Sequence, residues 1–426
     1  MTAMRRLALA LAVLGTVLGA CSKDKDVEPP MTLVGFTQTL DVRRAWDLSV
    51  GDKDRRLRLA LSPAIDDGRV YAAGHGGAVF AVDAKTGKVL WRSATKLPLS
   101  AGPGVGNGLV VAGASDGSVV ALDAATGARR WSVRASGEVL AAPAVSDQSV
   151  IVRTVDGRVR AFAVSDGHEQ WSAEQTVPRL SLRGTAPPVI AGDSVVCGFD
   201  DGRAVAYGLA TGDRLWESAV STSRGKTEIE RLNDIDGAVR VSGRDVFVVG
   251  FQGKLAMLAL DSGQVWWSRD LSSYRGLALG EEAIYVATAD GHVQALRRRD
   301  GTSLWTNEQL LRRGLTAPAI DGDSIVVADF EGYLHWIDRA TGALAARVQT
   351  KKGPVTNGPV AADGYVYLQT DGGRVFAYTT RANGREAVAA PTGASAPAGQ
   401  KAAAPASKPA ERVPGNLPSD LSPVGR

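Results

Sequence analysis

The sequence is poor in the residue types on which catalysis, metal binding and disulfide bonding depend. It contains two cysteines, four histidines and 6% aromatic residues in 426 positions. Two cysteines exclude a disulfide framework. The four histidines lie in separate stretches of the chain without the close pairing of a metal motif, and no phosphate-binding P-loop occurs. We therefore assign no catalytic residue, no metal and no cofactor, and we expect a protein that is not an enzyme.

The chain also has little net charge where a folded domain is expected. Of the formal charge of +4, two charges belong to Arg5 and Arg6, and residues 381–426 carry six basic against three acidic side chains. The part between these ends is therefore close to neutral. Nucleic-acid binding needs a concentrated basic face, so we expect no nucleic-acid partner.

The two ends of the chain are easily classified. Residues 1–20 have a short basic start and an apolar run from Leu7 to Leu18, too short for a membrane span and typical of a signal peptide. Leu18-Gly19-Ala20-Cys21 resembles a bacterial lipobox, which implies lipid attachment at Cys21 and, with Ser22 next, an outer-membrane destination. An ordinary signal peptide with an incidental cysteine is the alternative. Residues 21–40 are expected to be a tether, and the tail 381–426, rich in Ala, Pro, Gly and Ser, is expected to be disordered.

Between these ends the sequence repeats with a period of about 40 residues. Each unit has two glycine turns, and the first is usually preceded by Asp, Glu or Gln, which favours a tight two-residue hairpin. A tryptophan follows the second glycine after four positions. The first glycines are Gly77, Gly117, Gly157, Gly202, Gly253, Gly291, Gly332 and Gly372; the tryptophans are Trp91, Trp131, Trp171, Trp216, Trp267 and Trp305, with Ala346 in the seventh place.

Four short strands and two turns per unit predict an all-β fold, an eight-bladed β-propeller with four-stranded antiparallel blades over residues 41–380. The eighth unit stops after Tyr378 without its tryptophan strand, and an unmatched strand containing Trp46 precedes the first unit. We expect the N-terminal strand to complete the last blade and close the ring. The tryptophans should pack between neighbouring blades; stacking on a ligand is the alternative. Cys197 is expected to be buried in a strand.

Two repeats are stretched, and interruptions of a repeat are candidate functional loops. The first carries Leu180, Leu182 and Arg183, and the second carries Asp234 and Asp236 within Glu228–Asp236. Both precede neighbouring blades, so they should project from the same rim. Apolar residues beside charges are typical of a protein-docking patch. On the residues alone, a simple extension of the blades is an equal alternative.

The blade pattern resembles that of quinoprotein dehydrogenases, but the vicinal cysteine pair of that family is missing. A closer resemblance is to the BamB family of outer-membrane assembly lipoproteins. The residues that carry it are the lipobox, Leu180-Ser181-Leu182-Arg183-Gly184, Glu228–Asp236 and Glu331-Gly332-Tyr333-Leu334-His335-Trp336-Ile337. It covers about residues 21–380; the missing tryptophan at Ala346 and the long tail depart from it.

The resemblance implies a non-catalytic scaffold of the β-barrel assembly machinery, lipid-anchored at the periplasmic face of the outer membrane. It implies that Leu180, Leu182, Arg183, Asp234 and Asp236 bind the periplasmic POTRA domains of BamA, with other subunits of the BAM complex and nascent outer-membrane proteins as further partners. The alternatives are a dehydrogenase-like propeller dependent on pyrroloquinoline quinone and a polysaccharide-binding propeller lipoprotein.

Overall fold

A computed structural model describes residues 28–51, 59–178, 180, 186–221, 227 and 232–382, and these form strands, turns and loops without a helix. The strands make eight small sheets in which successive strands pair in antiparallel order, so the predicted blades are confirmed. Inner strands of consecutive blades contact one another around the ring. Between the last and first blades, the Gln369 side chain donates to the Ala73 carbonyl at 2.9 Å.

The strands have the following bounds. Two precede the first blade: β1 (Leu40–Ser49) and β2 (Ala60–Leu61). Blades 1 to 4 contain β3 (Ala64–Asp66), β4 (Arg69–Ala73), β5 (Ala78–Asp83), β6 (Val89–Ala94); β7 (Leu99–Gly106), β8 (Leu109–Ala114), β9 (Ser118–Asp123), β10 (Arg129–Arg134); β11 (Ala144–Val145), β12 (Ser149–Arg153), β13 (Arg158–Ala163), β14 (Glu169–Glu174); and β15 (Val189–Ala191), β16 (Ser194–Gly198), β17 (Arg203–Gly208), β18 (Arg214–Ala219).

Blades 5 to 8 continue the pattern, and β2 adds a short parallel pairing to β7 of blade 2. Their strands are β19 (Arg240–Ser242), β20 (Asp245–Val249), β21 (Lys254–Ala259), β22 (Val265–Asp270); β23 (Leu277–Leu279), β24 (Ala283–Ala287), β25 (Val293–Arg297), β26 (Ser303–Asn307); β27 (Ala319–Asp321), β28 (Ser324–Ala328), β29 (Tyr333–Asp338), β30 (Leu344–Gln349); and β31 (Val360–Ala362), β32 (Tyr365–Gln369), β33 (Arg374–Ala382).

The N-terminal strand closes the ring as expected. β1 pairs with β33 in antiparallel register, with Trp46 opposite Ala377 and Leu48 opposite Val375. Arg374 donates from its Nε to the carboxylate of Asp47 at 2.6 Å and adds an ion pair to this seam. The last blade is thus built from both ends of the domain, which leaves no unpaired strand at the closure.

The apolar core is divided among the interfaces between blades. Each of the eight buried clusters joins side chains of two neighbouring blades; Tyr71 of blade 1 and Leu122 of blade 2 belong to one such cluster. Seven of the eight fourth strands carry a tryptophan at such an interface, and its ring covers the second glycine of the next blade. The pairs are Trp46–Gly87, Trp91–Gly127, Trp131–Gly167, Trp171–Gly212, Trp216–Gly263, Trp267–Gly301 and Trp305–Gly342.

Most of these indole rings are also fixed by a hydrogen bond. The Nε1 of Trp171 donates to the carbonyl of Leu209 in the next blade at 2.8 Å, and Trp216 donates to Leu260 at 2.6 Å. This confirms that the recurring tryptophans pack between blades. The buried indole nitrogen of Trp267 has no hydrogen-bond partner among the described residues.

The interface that lacks this tryptophan is filled from a neighbouring strand. Trp336 on β29 lies opposite Ala346 in the sheet register and is fully buried. Its ring meets Tyr378 of blade 8 edge to face with centroids 6.2 Å apart, and its Nε1 donates to Asp321 at 3.1 Å. An aromatic contact between blades 7 and 8 is therefore kept despite the alanine.

The prediction of a two-residue hairpin turn at the first glycine of each unit is wrong. Gly117 has a φ of +83°, but Asp116 is not in the left-handed region, so the turn is a three-residue loop with glycine at its end. The two-residue geometry with positive φ at both positions occurs instead between the first two strands of a blade, at Asp67-Gly68, Asn107-Gly108 and Asp363-Gly364. At Gly253 and Gly372 the left-handed residues are Gln252 and Gly373.

Antiparallel order gives the ring two distinct faces. The loop face carries the turns between second and third strands and the connections that lead from the fourth strand of one blade to the next blade. The turn face carries the other two turns of each blade. The loop face includes Gly77 and Gly117, and the turn face includes Gly68 and Gly87.

Replacement of Gly212 with alanine tests the tryptophan–glycine contact. A Cβ there would lie 2.6 Å from the Trp171 ring, and the φ is +75°. We expect a loss of about 2–4 kcal/mol in unfolding free energy, measured by urea denaturation. Gly192→Ala is the matched control because its φ is +57° with nothing within 4 Å, and it should cost only about 1–2 kcal/mol. Equal losses in both variants would show that the ring contact adds nothing.

Candidate docking site

Two long connections on the loop face form the candidate site. The first leads from β14, which ends at Glu174, to β15, which begins at Val189; the second leads from β18 to β19 and spans residues 220–239. Consecutive blades 3, 4 and 5 are joined by these two connections, so the bases of both lie on one face and next to each other. The sequence predicted this arrangement.

The expected docking residues differ in where they lie. Leu180, in the first connection, is exposed over 44% of its surface. Asp234 has no exposed surface, and Asp236 is half-buried. Leu182, Arg183 and Cys21, the residue expected to carry the lipid, lie outside the described residues. Asp234 is therefore buried beneath its connection, whereas Leu180 is exposed.

Burial of Asp234 follows from how its segment is bonded to blades 4 and 5. The Ile235 amide donates to the carbonyl of Phe199 at 3.1 Å, and the Phe251 amide donates to the carbonyl of Asp234 at 2.8 Å. The side chain of Ile235 packs so closely on Gly198 that a Cβ there would lie 2.3 Å from it. The end of the second connection is thus fixed against the ring.

A buried ion pair holds the base of the first connection. The Arg153 side chain is 1% exposed; its Nη2 donates to Asp200 at 2.7 Å and its Nη1 to the carbonyl of Ala186 at 3.4 Å. Its guanidinium also lies 4.5 Å from the centre of the Phe199 ring. Because Phe199 accepts the hydrogen bond of Ile235, the two connections share a common support.

Three carboxylates, those of Asp200, Asp234 and Asp236, lie close together beneath this support. Burial, together with the nearby Asp200 and Asp234, raises the pKa of Asp236 to about 8, and Arg153 and Arg275 oppose the shift. The buried Oδ1 of Asp236 accepts no hydrogen bond from the described residues. At neutral pH this group therefore holds its proton in most molecules, which relieves repulsion among the three carboxylates.

Arg153 and Asp200 were missed in the sequence, although a signal was present. Among the eight described second strands, Arg153 is the only charged residue at the strand end, a position held elsewhere by Ala73, Gly198, Val249, Ala287 and others.

One motif of the sequence, Gly113-Ala114-Ser115-Asp116-Gly117, has the spacing of a nucleophile elbow. It joins two strands, however, and Ser115 donates to the Pro98 carbonyl at 3.3 Å.

A metal site, a membrane-spanning helix and a reactive thiol each have requirements that can be checked in the described residues. It contains no group of three or more His, Cys, Asp and Glu arranged to hold a metal ion. It also contains no helix that is long and apolar enough to cross a membrane. Cys197 is fully buried, as expected, and burial raises the pKa of its thiol to about 12.

The fold and site define an eight-bladed propeller whose distinguishing feature is a pair of supported connections on one face. The chain belongs to the family of outer membrane protein assembly factor BamB, whose model matches residues 31–98, 75–307 and 308–406.

Individual relatives agree with this assignment. The BamB of Pseudomonas aeruginosa is 44% identical over 376 residues, which cover 88% of this chain and 98% of the relative. The crystal structure of BamB from Moraxella catarrhalis superposes with a TM-score of 0.72 at 29% identity over 80% of this chain and 100% of that one. A quinohemoprotein alcohol dehydrogenase from Comamonas testosteroni, at 13% identity and a TM-score of 0.64 over 79% and 76% of the two chains, shares the fold alone.

Asp236→Asn tests the electrostatics beneath the connections. Because the pKa is raised from an ordinary 3.8 to about 8, the ionised carboxylate destabilises the folded state progressively as the pH rises from about 4 to about 8. Urea denaturation at pH 5, 7 and 9 should show the variant gaining stability relative to the parent as the pH rises. Asp193→Asn on the exposed turn face should leave the pH profile unchanged. A constant difference between Asp236→Asn and the parent at all three pH values would contradict the assignment.

Proposed function

We propose that this chain is a non-catalytic scaffold of the outer-membrane β-barrel assembly machinery. In this proposal it is lipid-anchored at Cys21 on the periplasmic face of the outer membrane and binds the POTRA domains of BamA. Family membership supports the role in assembly. The observation that carries the docking is the pair of adjacent connections on the loop face, held at their bases by Arg153, Asp200 and Ile235.

The roles proposed for Leu180, Asp234 and Asp236 follow from their burial, and those for Leu182 and Arg183 follow from the sequence. Leu180 is the exposed apolar anchor, and Leu182 and Arg183, next to it in sequence, would supply further apolar area and a positive charge. Asp234 would act from below by fixing the second connection, since its side chain is buried. Asp236 lies at the edge of the same buried group. An interface of this kind gains affinity from a few apolar anchors and orientation from charges.

This assignment of roles makes Leu180→Ala a direct test. We expect the Kd for the isolated POTRA domains of BamA to rise about tenfold, as is typical when an apolar anchor is truncated. The double variant Leu182→Ala with Arg183→Ala should abolish co-purification with BamA while the circular dichroism spectrum stays that of the folded ring.

The matched control is Leu90→Ala, since Leu90 is 46% exposed on the outer strand β6 and Leu180 is 44% exposed. It should leave the Kd unchanged. Equal affinity of the parent and the loop variants for the POTRA domains would remove the connections from the proposal.

A second candidate role is the transient holding of nascent barrel strands at the outer edge of the ring. The outer strands β18, β22 and β26 of blades 4, 5 and 6 are the terminal strands of their sheets, and each exposes a large apolar side chain. These are Leu215 at 53%, Trp266 at 57% and Leu304 at 47%. An edge strand can pair with an extended chain through backbone groups alone, and apolar side chains beside it add contact area.

Photo-crosslinking tests this second role. A photoreactive residue at position 266 should form adducts with an unfolded outer-membrane protein. The same residue at the equivalent exposed position 130 of blade 2 should form several-fold fewer, because the adjoining blades carry one apolar side chain, Leu90, and the polar Gln170 there, against two apolar side chains beside position 266. Similar yields at the two positions would contradict a specific role for blades 4 to 6.

A further inference from the structure

The described part of the segment before the first strand is bound to the ring. Residues 28–39, here named the strap, lie along blade 7. The Met31 amide donates to the Leu311 carbonyl at 3.0 Å, and the Thr39 amide donates to the Ala345 carbonyl at 2.9 Å. Leu33 and Phe36 pack on the apolar cluster between blades 6 and 7. The strap is therefore part of the folded domain.

Two arginines fix the strap through its carbonyl groups. Arg313, 3% exposed and paired with the buried Asp329 at 2.7 Å, donates from its Nη1 to the Met31 carbonyl at 3.0 Å. Arg347 donates from its Nη1 to the Val34 carbonyl at 2.9 Å, and its guanidinium lies 5.0 Å from the centre of the Phe36 ring. Contacts from two charged side chains, of which Arg313 is buried, make the position of the strap specific.

The burial pattern of blade 7 shows what the strap covers. In other blades the first two residues of the outer strand are exposed, as in β6, β10 and β14. In β30 the corresponding residues are Leu344 and Ala345, which are 9% and 5% exposed. The strap thus shields an edge strand that the other blades leave open.

The strap also has a direction. It begins on the loop face, where Glu28 pairs with Arg312 at 2.8 Å in the connection between blades 6 and 7, and it ends near the turn face, where β1 begins at Leu40. Glu28 is seven positions after Cys21, and an extended chain over that interval spans at most about 25 Å. If residues 28–39 were not bound to the ring, the nineteen positions from Cys21 to Leu40 would span about 65 Å when extended.

Charge is distributed unevenly on the loop face. Lys351 and Lys352 are exposed in the connection between blades 7 and 8, and Lys96 is exposed in the connection between blades 1 and 2; these three residues are here named the lysine sector. Two of the described carboxylates near it are engaged: Glu331 pairs with Arg313, and Asp371 accepts from Thr356 at 2.8 Å. The hairpin tip of blade 1 carries Gly76 where other blades have an acidic or amide side chain.

We infer that the lysine sector contacts an anionic phospholipid surface, because the strap delivers the lipid-anchored end of the chain to the same face. The inference rests on the proposed lipid attachment at Cys21. The lipid chains hold the protein at the membrane, the short reach from Glu28 keeps the loop face near it, and the lysines interact with phosphate headgroups. Clusters of lysine beside a lipid anchor strengthen membrane binding in this way.

The experiment uses the full secreted chain with Cys21→Ser, so that binding reports on the protein surface without acyl chains. Sedimentation with vesicles of phosphatidylethanolamine and 30% phosphatidylglycerol should show binding that phosphatidylcholine vesicles lack and that high salt removes. The triple variant Lys96→Glu, Lys351→Glu and Lys352→Glu should lower the partition coefficient at least about tenfold.

The matched control is Lys85→Glu, Lys88→Glu and Arg299→Glu, which makes the same charge change at exposed positions of the turn face. It should lower binding less than twofold. Equal loss in both triple variants, or no preference of the parent for phosphatidylglycerol, would overturn the inference. Binding of the POTRA domains by the lysine-sector variant is measured in parallel and should be unchanged, so that a failure here is separable from a failure of the proposed scaffold role.

Discussion

The structure depends on one contact that is repeated at seven of the eight blade interfaces. In it, the tryptophan of one blade covers a glycine of the next blade. The ring of Trp171 occupies the space that a side chain at position 212 would need, and the same arrangement recurs through Trp305 and Gly342. A blade of this size cannot bury its apolar surface alone, so each blade is stable only against its neighbours. The pairing of Trp46 with Gly87 extends the series across the seam where both ends of the domain meet.

A closed ring of this kind provides fixed positions for irregular segments. The connections between blades 3, 4 and 5 leave the ring at neighbouring points, and the buried pair of Arg153 and Asp200 stabilises their bases. A buried pair of charges contributes little net stability but favours one arrangement of the groups around it. The surface above can therefore be specific for a partner although no reactive group is required there.

Much of the fold was predictable because its signals are local and repeated. The period of the glycines, the tryptophan column and the unmatched strand around Trp46 were sufficient for the blade number and the closure. The hairpin geometry at Asp116 was not predictable, since two- and three-residue loops use the same residues. The strap was missed because Arg313 and Arg347, which hold it, are about 300 positions away in sequence. The burial of Asp234 depends on blade 5 folding over its segment, which a charge pattern does not reveal.

The most direct test of the account is hydrogen–deuterium exchange of the whole chain with and without the POTRA domains of BamA. On binding, protection should concentrate in residues 175–188 and 220–239, and the turn face should be unchanged. Protection confined to the turn face or to the outer strands of the blades would contradict the central claim that the paired connections form the docking surface.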